Sequence, residues 1–209
     1  MIPVKVLAVR HIANVSQPMA REFGAPEGYR SFALLTTDCD DATYIALDAA
    51  TKAADVQVLY GRSFYAGAAN ASTPNAGEVI GILAARTPPD SKSGMEDALS
   101  ALQRVGFEET GGVPYLAHTV ASVGSFLAQE AGVALGSAVA YLIAPPLESM
   151  YAMDAALKAA DVKLCKLYSP PSETNFGGGL LTGTQSACAA ACAAFAAAVA
   201  EVAAKPIEG

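Results

Sequence analysis

Three acidic residues fall within four positions in the first half of the chain: Asp38, Asp40 and Asp41. They stand where an apolar stretch ends and a helical pattern begins. Carboxylates at such a point cap free backbone N–H groups and interact favourably with the helix dipole. Capping explains one or two of these carboxylates but not three in four residues. A second role for these carboxylates therefore remains open beside the capping role.

Other residue types that could do chemistry are sparse. His11 and His118 are the only histidines, and no spacing typical of metal ligands surrounds them. Cys188 and Cys192 lie four residues apart in an alanine-rich stretch, where core packing is favoured over metal or redox chemistry. The sequence has no dinucleotide-binding glycine motif, phosphate loop or nucleophile elbow. We therefore expect no enzyme, and neither a metal nor a cofactor.

Composition narrows the classes of partner and compartment. The chain is 53% hydrophobic and 16% charged, so it can build a sizeable core. Its net charge of −7 disfavours nucleic acid, because neutralising phosphates requires a basic face. Four cysteines in 209 residues do not resemble a disulfide framework, and residues 1–24 lack the pattern of a secretory signal. We therefore expect a cytoplasmic protein.

The stretch 186–204 is long enough and sufficiently uncharged to span a bilayer. It consists mostly of alanine, however, which forms helices well but provides little hydrophobic drive. Its larger residues are spaced by 4, 3, 4 and 3 positions: Cys188, Cys192, Phe195, Val199 and Val202. This spacing predicts one stripe of a soluble amphipathic helix, so no membrane association is expected.

A nine-residue block occurs twice in the chain. Positions 48–56 recur at 154–162 with a single difference, at an offset of 154 − 48 = 106 residues. Shorter matches at offsets of 107 and 108 keep the same order along the chain. We therefore predict two tandem domains, 1–107 and 108–209, joined by a glycine-containing linker near 107–113.

Each copy predicts a small, mainly antiparallel sheet with amphipathic helices on one face, an α+β fold. The elements predicted in the first copy are strands at 4–9, 31–37, 56–60 and 78–83, helices at 18–23, 38–54 and 93–105, and a loop at 61–77. Those predicted in the second copy are strands at 115–120, 137–144, 162–168 and 180–183, helices at 147–160 and 186–204, and a loop at 169–179.

The order of these features resembles a known family. The repeated block, a short strand, a loop rich in small residues, a strand and an alanine-rich helix together resemble the bacterial microcompartment shell domain. Two copies, each preceded by a strand-containing segment, resemble its circularly permuted tandem form. Three segments are similar to members used in ethanolamine utilisation: 60–69, 144–148 and 170–175.

The resemblance implies a structural tile. Three chains would form a homotrimer, a ring of six domains called a pseudo-hexamer, which packs edge to edge with other shell proteins. The resulting cytoplasmic shell encloses the enzymes of ethanolamine breakdown. It retains a volatile aldehyde while substrate and cofactors pass through pores.

Two lysines occupy matching places in the copies. By spacing alone, Lys52 and Lys158 are solvated residues at helix ends that interact with the dipole. The family pattern instead implies a role at the edge between tiles. There the long apolar stem lies along a neighbour and the ammonium meets backbone carbonyls.

The resemblance also assigns ligand-binding residues. Asp40, Asp41, Glu78 and Phe107 match a small pore within each subunit that binds ethanolamine. The central pore of the ring would be gated by loops from both copies. The implied lining residues are Tyr65, Ala66 and Gly67 on one loop and Asn175, Phe176 and Gly177 on the other.

Two other functions compete with the tile. A soluble trimeric amine sensor would also bind a ligand with threefold symmetry, but it need not form flat sheets. An amine-processing enzyme using Asp40 and Glu78 would need a nucleophile, metal or cofactor motif, and the sequence contains none near these residues.

Overall fold

The computed structural model describes residues 1–63, 78–170 and 175–207, which contain nine strands and six helices. The chain divides into two compact units, and each unit includes one short segment from the part of the sequence that forms most of the other. The N-terminal unit comprises Pro3–Gly106 with Gly124–Leu127, and the C-terminal unit comprises Met1–Ile2, Phe107–Val123 and Ala128–Gly209. The limits 1–107 and 108–209 for the two copies of the domain stay a prediction.

The first half of the chain forms a four-stranded sheet, and all its strand pairs are antiparallel. The strand order is β1-β2-β4-β3. The elements are β1 (Val6–Ile12), α1 (Gln17–Glu22), β2 (Ser31–Thr37), α2 (Asp40–Ala53), β3 (Val56–Ser63), β4 (Val79–Ala85) and α3 (Pro88–Leu102).

Both long helices of this unit, α2 and α3, lie against the same face of the sheet. This is the face on which the side chains of Ser31 and Thr37 of β2 lie. Hydroxyl pairs join the layers: Thr37 to Thr43 at 2.8 Å and Ser31 to Ser91 at 2.8 Å. The short α1 contributes Ala20 to a cluster on the other residues of β2 and β4, including Phe32 and Ile82. The first sheet is therefore covered by two long helices on one face and by α1 on the other.

The second half forms a five-stranded sheet in the order β5-β6-β7-β9-β8, again with antiparallel pairs. Its elements are β5 (Glu108–Thr110), β6 (Val113–Val120), α4 (Ser125–Ala131), β7 (Ala138–Ala144), α5 (Pro146–Ala159), β8 (Val162–Tyr168), β9 (Gly177–Gly183) and α6 (Gln185–Ala204). The predicted stripe of α6 is buried at Cys188, Cys192, Phe195 and Val199.

Helix α6 is the one described helix with the length and composition of a membrane span. In the structure it packs on β6, β7 and α5 and carries much of the core of the C-terminal unit. Its small residues allow this close approach, because an alanine face adds little bulk between the layers.

The two halves repeat in detail. Without β5, the second sheet has the strand order β6-β7-β9-β8, which matches β1-β2-β4-β3. An irregularity between Val58 and Tyr60 recurs between Leu164 and Lys166, again 106 residues later. These features confirm the predicted α+β fold and its duplication.

One predicted feature was wrong at the junction between the halves. The segment interpreted as a linker forms the β5–β6 hairpin, in which Thr110 pairs with Val113. Gly111 and Gly112 form its two-residue turn with φ angles of +56° and +83°. Two successive positive φ angles are what the favoured two-residue hairpin turn requires, so Gly-Gly here is a turn signal.

Several other boundaries also differ from the prediction, and three of them are the following. Helix α3 begins at Pro88 and not at 93, because Thr87 caps it by accepting a hydrogen bond from the Asp90 N–H at 3.3 Å. Strand β1 begins and ends later than 4–9. Strand β9 starts at Gly177, so the predicted loop ends three residues earlier than 179.

Candidate functional site

The acidic cluster lies where β2 ends and β4 begins. These strands are antiparallel with Thr37 opposite Val79, which brings the residues just outside them together. The Glu78 N–H donates to the Thr37 carbonyl at 2.9 Å. The strand pairing therefore places Glu78 beside the segment that carries Asp38 and Asp40.

A network of short side chains holds the turn between β2 and α2. The Thr37 hydroxyl oxygen accepts from the Cys39 N–H at 3.1 Å, and the Thr43 hydroxyl donates to the Cys39 carbonyl at 2.7 Å. The Asp38 carboxylate accepts from the Lys5 N–H at 2.8 Å, and Asp40 Oδ1 accepts from the Asp41 N–H at 2.9 Å. These bonds fix the carboxylates of Asp38 and Asp40 at the start of α2.

The electrostatics of the cluster are those of crowded negative charge. Asp40 and Asp41 are buried and Glu78 is exposed. Partial desolvation, followed by the negative charges of Asp40 and Asp38, raises the pKa of Glu78 above the ordinary value of 4.5. Burial, reinforced by the neighbouring carboxylates, also raises the pKa of Cys39, so its thiol stays protonated and is a poor nucleophile. The cluster is suited to attract a small cation.

The described side chains, those of the acidic cluster included, do not form a metal site. Within 1–63, 78–170 and 175–207, no group of three or more His, Cys, Asp or Glu residues is arranged to hold an ion. A metal would need several such ligands at defined geometry. An organic cation needs only a few hydrogen-bond acceptors and is the better match for the acidic cluster.

Phe107, the aromatic residue of the predicted ligand site, belongs to the C-terminal unit. Its ring packs against Phe176 with the ring centroids 5.8 Å apart. Its carbonyl accepts from the Ile2 N–H at 2.5 Å. The structure thus brings together one residue predicted for the small pore and one predicted for the central pore.

Apart from Phe176, the predicted central-pore residues divide into three groups. Tyr65, Ala66 and Gly67 lie outside the described residues. Asn175 is exposed and has a φ of +65°, which fits a tight turn. Gly177 is not a loop residue: it is buried in β9 opposite Ala144.

The two lysines predicted for the tile edge lie in the last turns of α2 and α5. Each pairs with an aspartate four residues earlier. Lys52 lies 3.4 Å from Asp48, and Lys158 lies 2.5 Å from Asp154. The pairs differ in burial, because Asp48 is fully buried whereas the Asp154 side chain is 63% exposed.

Asp48 is a structural residue that sequence reasoning missed. Its two carboxylate oxygens accept backbone N–H groups of Gly124 at 2.8 Å and Leu127 at 2.9 Å. The Thr51 hydroxyl accepts from Ser125 at 3.1 Å. The repeat reveals that Asp48 and Asp154 correspond, but nothing in their neighbourhood indicates a partner 76 residues away.

Comparison with known proteins shows what the chain is similar to. It is 54% identical over 211 residues to the bacterial microcompartment shell protein EutL of Clostridium perfringens, covering 99% of this chain and 97% of that protein. The ethanolamine utilization protein EutL of Leptotrichia buccalis matches with a TM-score of 0.95 and 55% identity, over 100% of this chain and 98% of that one. No family model matches the chain.

A more distant structure has the same fold. The trimeric bacterial microcompartment shell protein PduB matches with a TM-score of 0.78 at 18% identity, over 96% of this chain and 89% of that one. At this identity the likeness concerns the fold alone. The full-length matches at more than half identity carry the assignment. The chain therefore belongs to the EutL family of bacterial microcompartment shell proteins: it is a structural component of the ethanolamine microcompartment shell in the cytoplasm, and it is not an enzyme.

Proposed function

We propose that this chain is a trimeric shell tile with a gated central pore and a small ethanolamine-binding pore in each subunit. The repeated strand order and repeated bulge support this proposal most directly. Three chains with two like units each can close into a ring of six. Sedimentation tests the ring, which should have three times the 21.2 kDa mass of one chain.

The ethanolamine site is proposed at Asp40, Asp41 and Glu78, within the N-terminal unit. Ethanolamine is a primary alkylamine and is protonated at neutral pH, as lysine is. Carboxylates bind an ammonium through charge-assisted hydrogen bonds. The site needs no nucleophile, because it binds a metabolite for passage and does not change it.

Gating is proposed for the loops at the ring axis. One set of loops would line the pore with Asn175 and Phe176. The other set would line it with Tyr65, Ala66 and Gly67. Two unlike loops that alternate around a threefold axis can adopt two packings, which suits a gate. Passage through such an opening is controlled by its size and electrostatics.

Removing either carboxylate should weaken ethanolamine binding. Asp40→Asn and Glu78→Gln keep the side-chain shape but lose one charge-assisted hydrogen bond each, worth about 1.5–3 kcal/mol. We expect the dissociation constant, measured by calorimetry, to rise by about tenfold or more in each variant. Glu201→Gln, which removes an exposed charge at the end of α6, is the matched control and should bind as the unaltered protein does. Unchanged affinity in both cluster variants would rule out this site.

Ethanolamine affinity should also fall in mild acid. The pKa of Glu78 lies above 4.5 in the folded protein, so this carboxyl takes up its proton earlier than an ordinary glutamate as pH decreases. The protonated form does not attract an ammonium, so affinity is present above the raised pKa and lost as pH falls through it. Calorimetry from about pH 7 to about pH 5 measures this loss. Glu78→Gln should flatten the profile; an equally steep profile in that variant would assign the titration to another group.

A further inference from the structure

One buried hydroxyl in the N-terminal unit has no hydrogen-bond partner. The Ser63 residue is 9% exposed and ends β3. Among the described residues, its Oγ is the one buried side-chain oxygen or nitrogen without a partner. Two other buried hydroxyls of this unit, those of Thr37 and Thr43, bond to each other. An unpartnered hydroxyl needs a physical explanation, because burying it without a hydrogen bond is costly.

The strand pairing shows which way the Ser63 side chain points. Ser63 pairs with Val79 of β4, and Val79 pairs with Thr37 of β2. Directly paired residues of neighbouring strands have their side chains on the same face of the sheet. The Thr37 hydroxyl bonds to Thr43 of α2, so Ser63 also points to the face that α2 covers.

A second contact fixes the position of Ser63 along α2. A Cβ at Gly61 would lie 3.4 Å from the Tyr44 ring. Ser63 follows Gly61 on β3, about 6.6 Å farther toward the end of the strand. Asp40 lies about one turn, or about 6 Å, from Tyr44 toward the start of α2. Because α2 begins beside the end of β2 and returns to the start of β3, these two displacements have the same direction.

The unpartnered hydroxyl therefore lies beside the acidic cluster. Asp40 is buried at the start of α2, and Glu78 directly precedes Val79, the strand partner of Ser63. The Ser63 hydroxyl bonds to neither of these two described carboxylates. All these residues belong to the N-terminal unit. The hydroxyl is thus buried next to charged groups that suit a cation and has its own hydrogen-bonding capacity unused.

The second copy of the domain has neither feature. At the offset of 106, Pro146 takes the place of Asp40 and Ser169 takes that of Ser63. Ser169 is exposed, so its hydroxyl can bond to water. A buried serine hydroxyl and a carboxylate at the helix start therefore occur together in one copy and not in the other. This coincidence favours a single ligand that uses both groups.

We infer that Ser63 binds the hydroxyl group of an amino alcohol whose ammonium is held by Asp40 and Glu78. This inference rests on the proposed ethanolamine site and adds the residue that selects the hydroxyl. A serine hydroxyl both donates and accepts, as an alcohol does, whereas an ammonium only donates and is the better match for carboxylates. A site that pairs a ligand hydroxyl disfavours an analogue that lacks it.

Calorimetry with ethanolamine and n-propylamine tests this role, because a methyl group replaces the hydroxyl in propylamine. The unaltered protein should bind ethanolamine about tenfold more tightly than propylamine. Ser63→Ala should raise the dissociation constant of ethanolamine about tenfold and leave that of propylamine within about twofold. Glu78→Gln should weaken both amines by the same factor, since both carry the ammonium.

Two controls separate ligand recognition from a structural role. Ser93→Ala, at an exposed serine of α3, should change neither affinity. Urea unfolding of the ligand-free protein is the second control. Ser63→Ala removes a hydroxyl that has no partner, so the midpoint of unfolding should stay the same or rise. A lower midpoint, or equal weakening of both amines, would assign Ser63 a structural role and overturn the inference.

The remaining outcomes distinguish Ser63 from the site as a whole. A preference for ethanolamine that persists in Ser63→Ala would overturn the role of Ser63. Equal affinity of the unaltered protein for the two amines would also overturn it, and both results would leave the proposed ethanolamine site intact. An unaltered protein that binds neither amine would overturn the proposed site and this inference with it.

Discussion

Asp48→Ala should lower the free energy of unfolding by about 3 kcal/mol, because it leaves two backbone N–H groups without their charged acceptor. Both groups, on Gly124 and Leu127, belong to buried residues, so water cannot fully replace the carboxylate. The ion pair with Lys52 adds little, since that lysine is 37% exposed. Urea unfolding followed by circular dichroism measures the change.

Asp154→Ala is the matched control for this prediction. Asp154 occupies the same place in the other copy, but its only described partner within the chain is the exposed Lys158. Its removal should change the free energy of unfolding by less than about 0.5 kcal/mol in dilute protein. The effect of Asp48→Ala should be the same at every protein concentration. Equal losses in both variants at high dilution would show that the bonds to Gly124 and Leu127 are not what stabilises the fold at Asp48.

Lys158→Glu should abolish or strongly weaken sheet formation while leaving the proposed trimer folded. The Lys158 side chain is 75% exposed at the end of α5, so its long stem is available to a neighbouring tile. A carboxylate there would repel backbone carbonyls across the edge and the adjacent Asp154. We expect the protein concentration needed for sheets to rise by about tenfold or more, equivalent to about 1.4 kcal/mol per contact. Light scattering, combined with electron microscopy, measures the protein concentration at which sheets form.

Lys92→Glu provides the control for a change of charge. It makes the same substitution at an exposed lysine of α3. Sheets should form in this variant much as in the unaltered protein. Lys52→Glu is a less selective test, because it places a second carboxylate beside the buried Asp48 and also costs stability. If sheets form unchanged with Lys158→Glu, the proposed role of this lysine at the tile edge is ruled out.

Much of the fold could be predicted from local patterns. Strands β2 and β8 match the predicted ranges because each is a short segment rich in apolar residues that ends before turn-forming or charged residues. Strand β9 was predicted too short because the three glycines with which it begins mask the strand pattern. Their cause is steric and nonlocal: a Cβ at Gly178 would lie 1.9 Å from the Leu142 carbonyl, and one at Gly179 would lie 2.3 Å from that of Lys166.

The candidate site was predictable only in part. The cluster of Asp38, Asp40 and Asp41 stands out in the sequence, but its closeness to Glu78 depends on the antiparallel register of β2 and β4. The role of Asp48 was hidden because its partners come from a distant segment of the chain. Repeats identify corresponding positions, whereas burial differences between the copies require the structure.

Negative-stain microscopy of the concentrated pure protein tests the tile most directly. The proposed function predicts threefold discs, each with an axial opening, that pack edge to edge into flat hexagonal sheets. An amine sensor would give separate trimers at the same concentration. Isolated single chains with no axial opening and no sheets would contradict both the ring and its role as a shell tile.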